Sequence, residues 1–225
     1  MTAPIEIRVG SDSDLPKIAG AFRLLEALGA PFEARVLSAH RTPERMAARA
    51  RELEGAGVKV SIAAAGGSAH LPGMTASETR IPVIGIPVET RALGGVDSLH
   101  SIIQMPEGIP VGAVGIGRAE DAALMAAQIL ALSDPALRAR VRVRRGFSGT
   151  APAAREFVAL VGAGADQASR EAMDLLAELG VRDCGVFEAS ALGDLEKQGA
   201  AAIVAWAVAD PSFPGALAAR TDIPV

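Results

Sequence analysis

A chain of 225 residues, half of them hydrophobic, has ample material for a buried core and a composition opposite to that of disordered segments. Its formal charge of −4, with no long basic run, gives electrostatics no case for nucleic acid. The single cysteine, Cys184, excludes an internal disulfide. With neither a signal peptide's apolar core nor an apolar stretch of roughly twenty residues to span a bilayer, a cytoplasmic protein without a membrane partner is expected.

Ile5–Val9 reads as a short strand, broken by Gly10-Ser11-Asp12-Ser13-Asp14. Pro16 opens a predicted helix whose Ile18, Phe22, Leu25 and Leu28 share one face, and Gly29 ends it. Phe32–Leu37 reads as a second strand, and a helix from Pro43-Glu44 runs past Met46 and Leu53 to Gly55-Ala56-Gly57. Val58–Ala64 is the third strand, closed by a loop from Gly66 to Gly73. A short helix then precedes a fourth strand, Ile81–Val88, with its prolines near the ends. Ile109–Ile116 reads as a fifth strand and Ala119–Leu132 as an Ala-rich helix, with Arg138–Arg145 on the polar side of a terminal helix. Strands alternating with helices imply an α/β class: a parallel sheet joined by right-handed crossovers and covered on both faces.

Parallel strands share a direction, so the loops after strands one, two and three leave at one edge, where open α/β sheets bind ligands. Gly10-Ser11-Asp12-Ser13-Asp14 sets a tight turn, hydroxyls and carboxylates at a helix N-terminus, a place that favours an anion. Asp14 suits a ribose diol, while Ser11 and Arg41 suit a phosphate; the competing reading is that Asp12, Ser13 or Asp14 simply caps the helix. The loop is neither a Walker motif nor GxGxxG, so neither ATP nor a dinucleotide is expected. In Ser38-Ala39-His40-Arg41-Thr42-Pro43, an imidazole able to give and take a proton near neutrality stands beside a fixed cation. Gly66-Gly67-Ser68-Ala69-His70 adds a second imidazole behind small residues that admit close approach to the backbone. His70 reads equally well as a structural histidine. Two histidines without cysteines or carboxylates at ligand spacing make no metal site, and His100 falls outside the candidate set.

These loops occur in order with Ala69-His70-Leu71-Pro72-Gly73, Gly95-Val96-Asp97-Ser98-Leu99 and Gln104-Met105-Pro106-Glu107-Gly108-Ile109-Pro110-Val111. Over roughly residues 5 to 145 the chain resembles the class I 5-(carboxyamino)imidazole ribonucleotide mutases, within the AIR carboxylase family of purine biosynthesis. The resemblance implies a three-layer α/β/α domain with a flavodoxin-like parallel sheet. It also implies an isomerisation without metal or cofactor. The carboxylate on the exocyclic nitrogen of a ribonucleotide leaves as carbon dioxide and returns at ring carbon 4. By the same resemblance, His40 shuttles the proton, and Ser11, Asp14 and Arg41 hold the ribose phosphate. Ser38, Ala39, Ser68, Ala69, His70 and Leu71 line the base and carboxylate pocket, with Gly10, Asp12, Ser13 and Gly67 in the same turns. Octamers with sites near subunit boundaries are implied, the Met105-Pro106 segment reaching toward a neighbouring site. Class II relatives, which carboxylate aminoimidazole ribonucleotide directly, typically carry Lys after the histidine and lack His-Leu-Pro-Gly; Arg41 and His70-Leu71-Pro72-Gly73 point to class I.

Residues after 146 have no counterpart in a single-domain enzyme of this kind. Residues 147–155 read as a linker and 156–225 as a partial, degenerate repeat of the same α/β unit. Val9-Gly10-Ser11-Asp12-Ser13-Asp14 is echoed by Val161-Gly162-Ala163-Gly164-Ala165-Asp166, and Leu24–Gly29 by Leu175–Gly180. Pro72-Gly73 through Val83 is echoed by Pro214-Gly215 through Val225. Ala163 replaces Ser11, Ser212 aligns with His70, and Glu188-Ala189-Ser190-Ala191 carries neither His40 nor Arg41, so the copy is expected to be catalytically empty. Three other readings compete with the mutase. They are a direct carboxylase of aminoimidazole ribonucleotide or another heteroaromatic nucleotide, a non-catalytic nucleotide-binding scaffold, and a flavin carrier. The last is disfavoured because no tyrosine and only Trp206 are present to stack a flavin.

Overall fold

The computed structural model describes residues 3–146, 157–161, 167–178, 181, 183–187 and 202–205. By internal contacts the chain divides into two compact units, Met1–Leu130 and Ala131–Val225. The division falls ahead of the boundary at 146 expected from the sequence.

In the first unit β1 (Ile5–Val9), β2 (Phe32–Val36), β3 (Val60–Gly66), β4 (Val83–Val88) and β5 (Gly112–Ala113) form one sheet in the order β2-β1-β3-β4-β5. Every pair is parallel, and the register is even: Val9 lies level with both Val36 and Ala64. The connecting helices are α1 (Ala19–Ala27), α2 (Pro43–Glu52), α3 (His70–Ala76) and α4 (Val96–Ile103), and α5 (Ala119–Ala131) follows β5. A period of two sends Ile5, Ile7, Val9, Ile62, Ala64, Ile84 and Ile86 to one face, all buried. The opposite face packs Ala63, Ala65 and Val83 with Met46 of α2, Leu71 of α3 and Ile102 of α4 in one apolar cluster. Gly85 is what lets α4 lie so close, since a Cβ there would come within 2.5 Å of Ile102 Cγ2. β1 presents Glu6 and Arg8 to that same inner side, both fully buried.

Four local expectations change. The first connection is a 3-10 helix, Asp12–Ile18, with Pro16 inside it; the regular helix begins only at Ala19, because proline has no N–H for the α ladder. The third strand starts at Val60, since Val58 N–H is spent on Leu53 O beyond the end of α2. β5 is two residues long: Pro110 precedes it without a donor, and Gly117, at φ +69°, turns its N–H back to Pro87 O. His70 does not sit in a loop but opens α3, whose early Pro72 is tolerated because first-turn N–H groups lack intrahelical acceptors.

The second unit holds α6 (Pro135–Arg144), β6 (Phe157–Val161), α7 (Gln167–Glu178), β7 (Asp183–Phe187) and β8 (Ala202–Ala205). Asp134 caps α6 by accepting from the N–H groups of Ala136 and Leu137. Arg142 of this helix is buried rather than on a polar side. The sheet is parallel in the order β7-β6-β8, the order in which β2, β1 and β3 stand in the first unit. The expected linker, Gly162–Asp166, Glu188–Ala191, Trp206, Ser212 and Pro214–Val225 lie outside the described residues.

Candidate active site

Because β1, β2 and β3 end level, the segments that follow them meet at the carboxyl edge of the sheet. After β1, Ser11 caps the 3-10 helix: its Oγ accepts from Ser13 N–H at 3.4 Å and from Ser13 Oγ at 3.0 Å. The cap is thus Ser11 itself, not Asp12, Ser13 or Asp14. Asp14 pairs with Lys17 across one turn, Oδ1 to Nζ 3.0 Å. Asp12 stays exposed on the same turn.

After β2, Ser38 builds the turn: Oγ accepts from Arg41 N–H at 3.1 Å, and its carbonyl accepts from Thr42 N–H and Thr42 Oγ1. The turn throws Arg41 back over the first loop, where Nη2 donates to Gly10 O at 2.8 Å. After β3, Gly67 takes φ +65°, and Ala69 is the one positive-φ residue other than glycine among the described residues, at φ 36°. Such a backbone costs on the order of 1–3 kcal/mol and persists where the surroundings impose it. Here it aims the side chain of the next residue, and His70 Nδ1 lies 2.8 Å from His40 Nε2 with the rings perpendicular.

The sequence-predicted residues therefore come together, though not all present side chains. His40, Arg41, Ser68 and His70 are exposed, and Gly10, Ser11, Asp14 and Gly67 are half-buried. Ala39, Ala69 and Leu71 send their side chains into the apolar cluster under the site, so any ligand contact they make is through the backbone. Two residues escaped the sequence reading. Ser98 accepts from Gly67 N–H at 2.8 Å and donates to Val88 O, and Ser101 donates to Gly67 O, so α4 props the third loop from below. Met105 is half-buried against Gly73 of α3, where a Cβ would meet its Sδ at 2.9 Å, and Pro106 beside it is exposed.

Only one hydrogen fits between two imidazole nitrogens 2.8 Å apart, so one ring donates and the other accepts. Among the described residues no three His, Cys, Asp or Glu side chains gather to hold a metal. A cleft of about 640 Å³ opens at the other, amino edge, lined by Ile81, Pro82, Ile109 and Met125. Arg80 is its only ionisable side chain, so it offers no acid–base chemistry.

The family model described as AIR carboxylase matches residues 4–147. The chain belongs to the AIR carboxylase family. It is 52% identical over 148 residues to the N5-carboxyaminoimidazole ribonucleotide mutase of Synechocystis sp., covering 64% of this chain and 84% of that relative. It is 55% identical over 130 residues to the phosphoribosylaminoimidazole carboxylase of Candida albicans, 58% of this chain but 23% of the longer fungal protein. The crystal structure of Treponema denticola PurE shares the fold, with a TM-score of 0.59 at 24% identity over 78% of this chain and 97% of that one. No helix among the described residues is long and apolar enough to cross a membrane.

Proposed function

We propose that this family member is an N5-carboxyaminoimidazole ribonucleotide mutase, moving the carboxylate from the exocyclic nitrogen to ring carbon 4. The observation that carries the reading is the His40–His70 pair, 2.8 Å apart beside an Arg41 braced on Gly10. With Nε2–H of His40 donated to Nδ1 of His70, the His40 tautomer leaves Nδ1 free to carry the shuttled proton. The bond from nitrogen to the carboxylate carbon breaks, carbon dioxide departs, and the nitrogen takes a proton from the His40 imidazolium. Ring carbon 4 then attacks the carbon dioxide, and the hydrogen it bore returns to His40, so no proton or electron is left over. His70 stabilises the imidazolium by accepting its Nε2–H. Neither metal nor cofactor enters.

Ser11, Asp14 and Arg41 hold the ribose phosphate on the turn of Gly10, Asp12 and Ser13. Ser68 faces the base and carboxylate by its side chain; Ser38, whose buried Oγ holds the Arg41 turn, borders them, and Gly67, Ala39, Ala69 and Leu71 do so by the backbone. The pocket must close, since escaped carbon dioxide wastes the substrate. Leu93 and Val96, exposed where the chain leaves β4, and Ile103, exposed at the far end of α4, support burial against further copies, as in an octamer.

Direct carboxylation of aminoimidazole ribonucleotide is the second reading, favoured by the name of the fungal relative. A substrate panel separates them: the mutase converts the carboxyamino nucleotide without bicarbonate, whereas a carboxylase needs aminoimidazole ribonucleotide and bicarbonate together. Residues 1–146 form the proposed catalytic domain, 147–155 a linker and 156–225 a catalytically empty partial copy; the matching strand order β7-β6-β8 supports the last. Deleting residues 151–225 is expected to leave the chemistry intact, and loss of turnover with assembly retained would give the copy a role in it.

A further inference from the structure

The alternation in β1 calls for a partner-facing side chain at positions 6 and 8, and the chain places a carboxylate and a guanidinium there with no solvent exposure at all. Ions survive such burial only when paired and hydrogen-bonded. Glu6 is the hub. Its Oε1 accepts from Arg8 Nε at 2.8 Å; its Oε2 accepts from Arg35 Nε of β2 at 3.0 Å and from Arg49 Nε of α2 at 2.8 Å. Arg8 extends the other way, to α3: Nη1 reaches Thr75 Oγ1 at 3.4 Å, and that hydroxyl donates to Leu71 O at 2.8 Å, next to His70. Met46 of α2 touches the same hydroxyl, with Sδ at 4.0 Å.

Burial draws the Arg8 guanidinium below its ordinary range, against the pull of Glu6. For Arg49 burial acts the same way, but hydrogen bonds and charge from Glu6 and Glu52 outweigh it and raise the group. A guanidinium stays protonated in proteins all the same. Replacing a cluster of this kind by apolar side chains is often neutral or stabilising, so stability alone is a weak reason to keep it. What the cluster does is tie together the helix that leaves the His40 turn and the helix that His70 opens. A 2.8 Å contact between two exposed imidazoles depends on both being held.

Resting on the mutase reading, we propose that Glu6 and Arg8 are positioning residues. Through Arg49 on α2 and Thr75 on α3 they fix the separation of His40 and His70, and with it the tautomer that shuttles the proton. Two variants cut the two arms: Thr75→Val removes the hydroxyl at α3, and Arg49→Met removes the guanidinium at α2. The spectroscopic readout is the downfield imidazole N–H resonance of the hydrogen-bonded pair in the ligand-free full chain, with His100→Gln used to assign it. Each variant is expected to lose that resonance and to lower kcat by about tenfold to a hundredfold, the penalty of small misplacement. KM should stay within about twofold, because the nucleotide-binding turn is untouched. Thr75→Ser, which keeps the hydroxyl, should restore both resonance and kcat.

Resonance and kcat retained in both arm variants would overturn the proposal, as would equal losses in Thr75→Ser and Thr75→Val, which would mark helix packing as the cause. If Thr75→Val does not fold, Arg49→Met, at a partly exposed helix position, decides alone. The resonance needs no turnover. Failure of the mutase reading, seen as no carboxyl transfer by the wild type, is therefore distinguishable from failure of the positioning role.

Discussion

Replacing His40 by Asn separates the proton shuttle from everything else the site does. His40 is exposed, and its described polar contact is the 2.8 Å approach to His70, so the substitution removes neither core volume nor a backbone partner. Folding stability should move by no more than about 0.5 kcal/mol. The amide of Asn does not take up a proton at neutral pH, so the shuttle is lost outright. Positioned acid–base catalysis is worth about 10²–10⁴ in rate. At about 1.4 kcal/mol per decade, that is roughly 3 to 5.5 kcal/mol on the barrier. Arg41, Ser11 and Asp14 are untouched, so nucleotide affinity by calorimetry should stay within about threefold, in keeping with an interaction made only in the transition state. Initial rates of carboxyl migration, followed by chromatography of the two isomers, provide the assay. Turnover within about tenfold of wild type, with the protein folded, would refute the role given to this imidazole.

Three further outcomes follow from contacts elsewhere in the molecule. Arg41→Lys loses the planar fork that braces on Gly10 O; with Arg41 in its proposed role toward the phosphate, KM should rise about tenfold, the value of one charge-assisted hydrogen bond, with kcat little changed. A kcat effect without a KM effect would move Arg41 from binding into the chemistry. Gly85→Ala forces a Cβ to within 2.5 Å of Ile102 Cγ2 and should cost about 1–3 kcal/mol in denaturant melts by overpacking, and an unchanged midpoint would mean that α4 slides freely. Asp134→Ala removes the acceptor for Ala136 and Leu137 N–H and should destabilise α6 by about 0.5–2 kcal/mol, read by thermal melting; no change would show that solvent serves those donors equally well.

Much of the fold was legible because the signals are local. Ile5–Val9 alternates and is bounded by a polar turn, Pro43-Glu44 opens a helix at its first turn, and Ala119 onward repeats small apolar residues at helical spacing. The site was legible for a topological reason: parallel strands deliver their following loops to one edge, so Gly10, His40 and His70 needed no side-chain information to be placed together. What stayed hidden depends on partners distant in sequence. Glu6 and Arg8 in Ile5-Glu6-Ile7-Arg8-Val9 name no partner by themselves; Arg35, Arg49 and Thr75 reach them from three other elements. Ser98 and Ser101 likewise become meaningful only when α4 lies beneath Gly67. The helical start at His70 was obscured by Pro72 and Gly73, poor helix formers that the first turn and the contact with Met105 accommodate.

The most direct test uses the carboxyamino nucleotide isotopically labelled at its exocyclic carboxylate, incubated with the full chain without ATP or added bicarbonate and followed by carbon NMR. The expected result is transfer of the labelled carbon from nitrogen to ring carbon 4, at a rate that falls by orders of magnitude in His40→Asn. Label lost only to bicarbonate, with no signal arising at ring carbon 4, would contradict a carboxyl transfer carried by the paired imidazoles at this sheet edge.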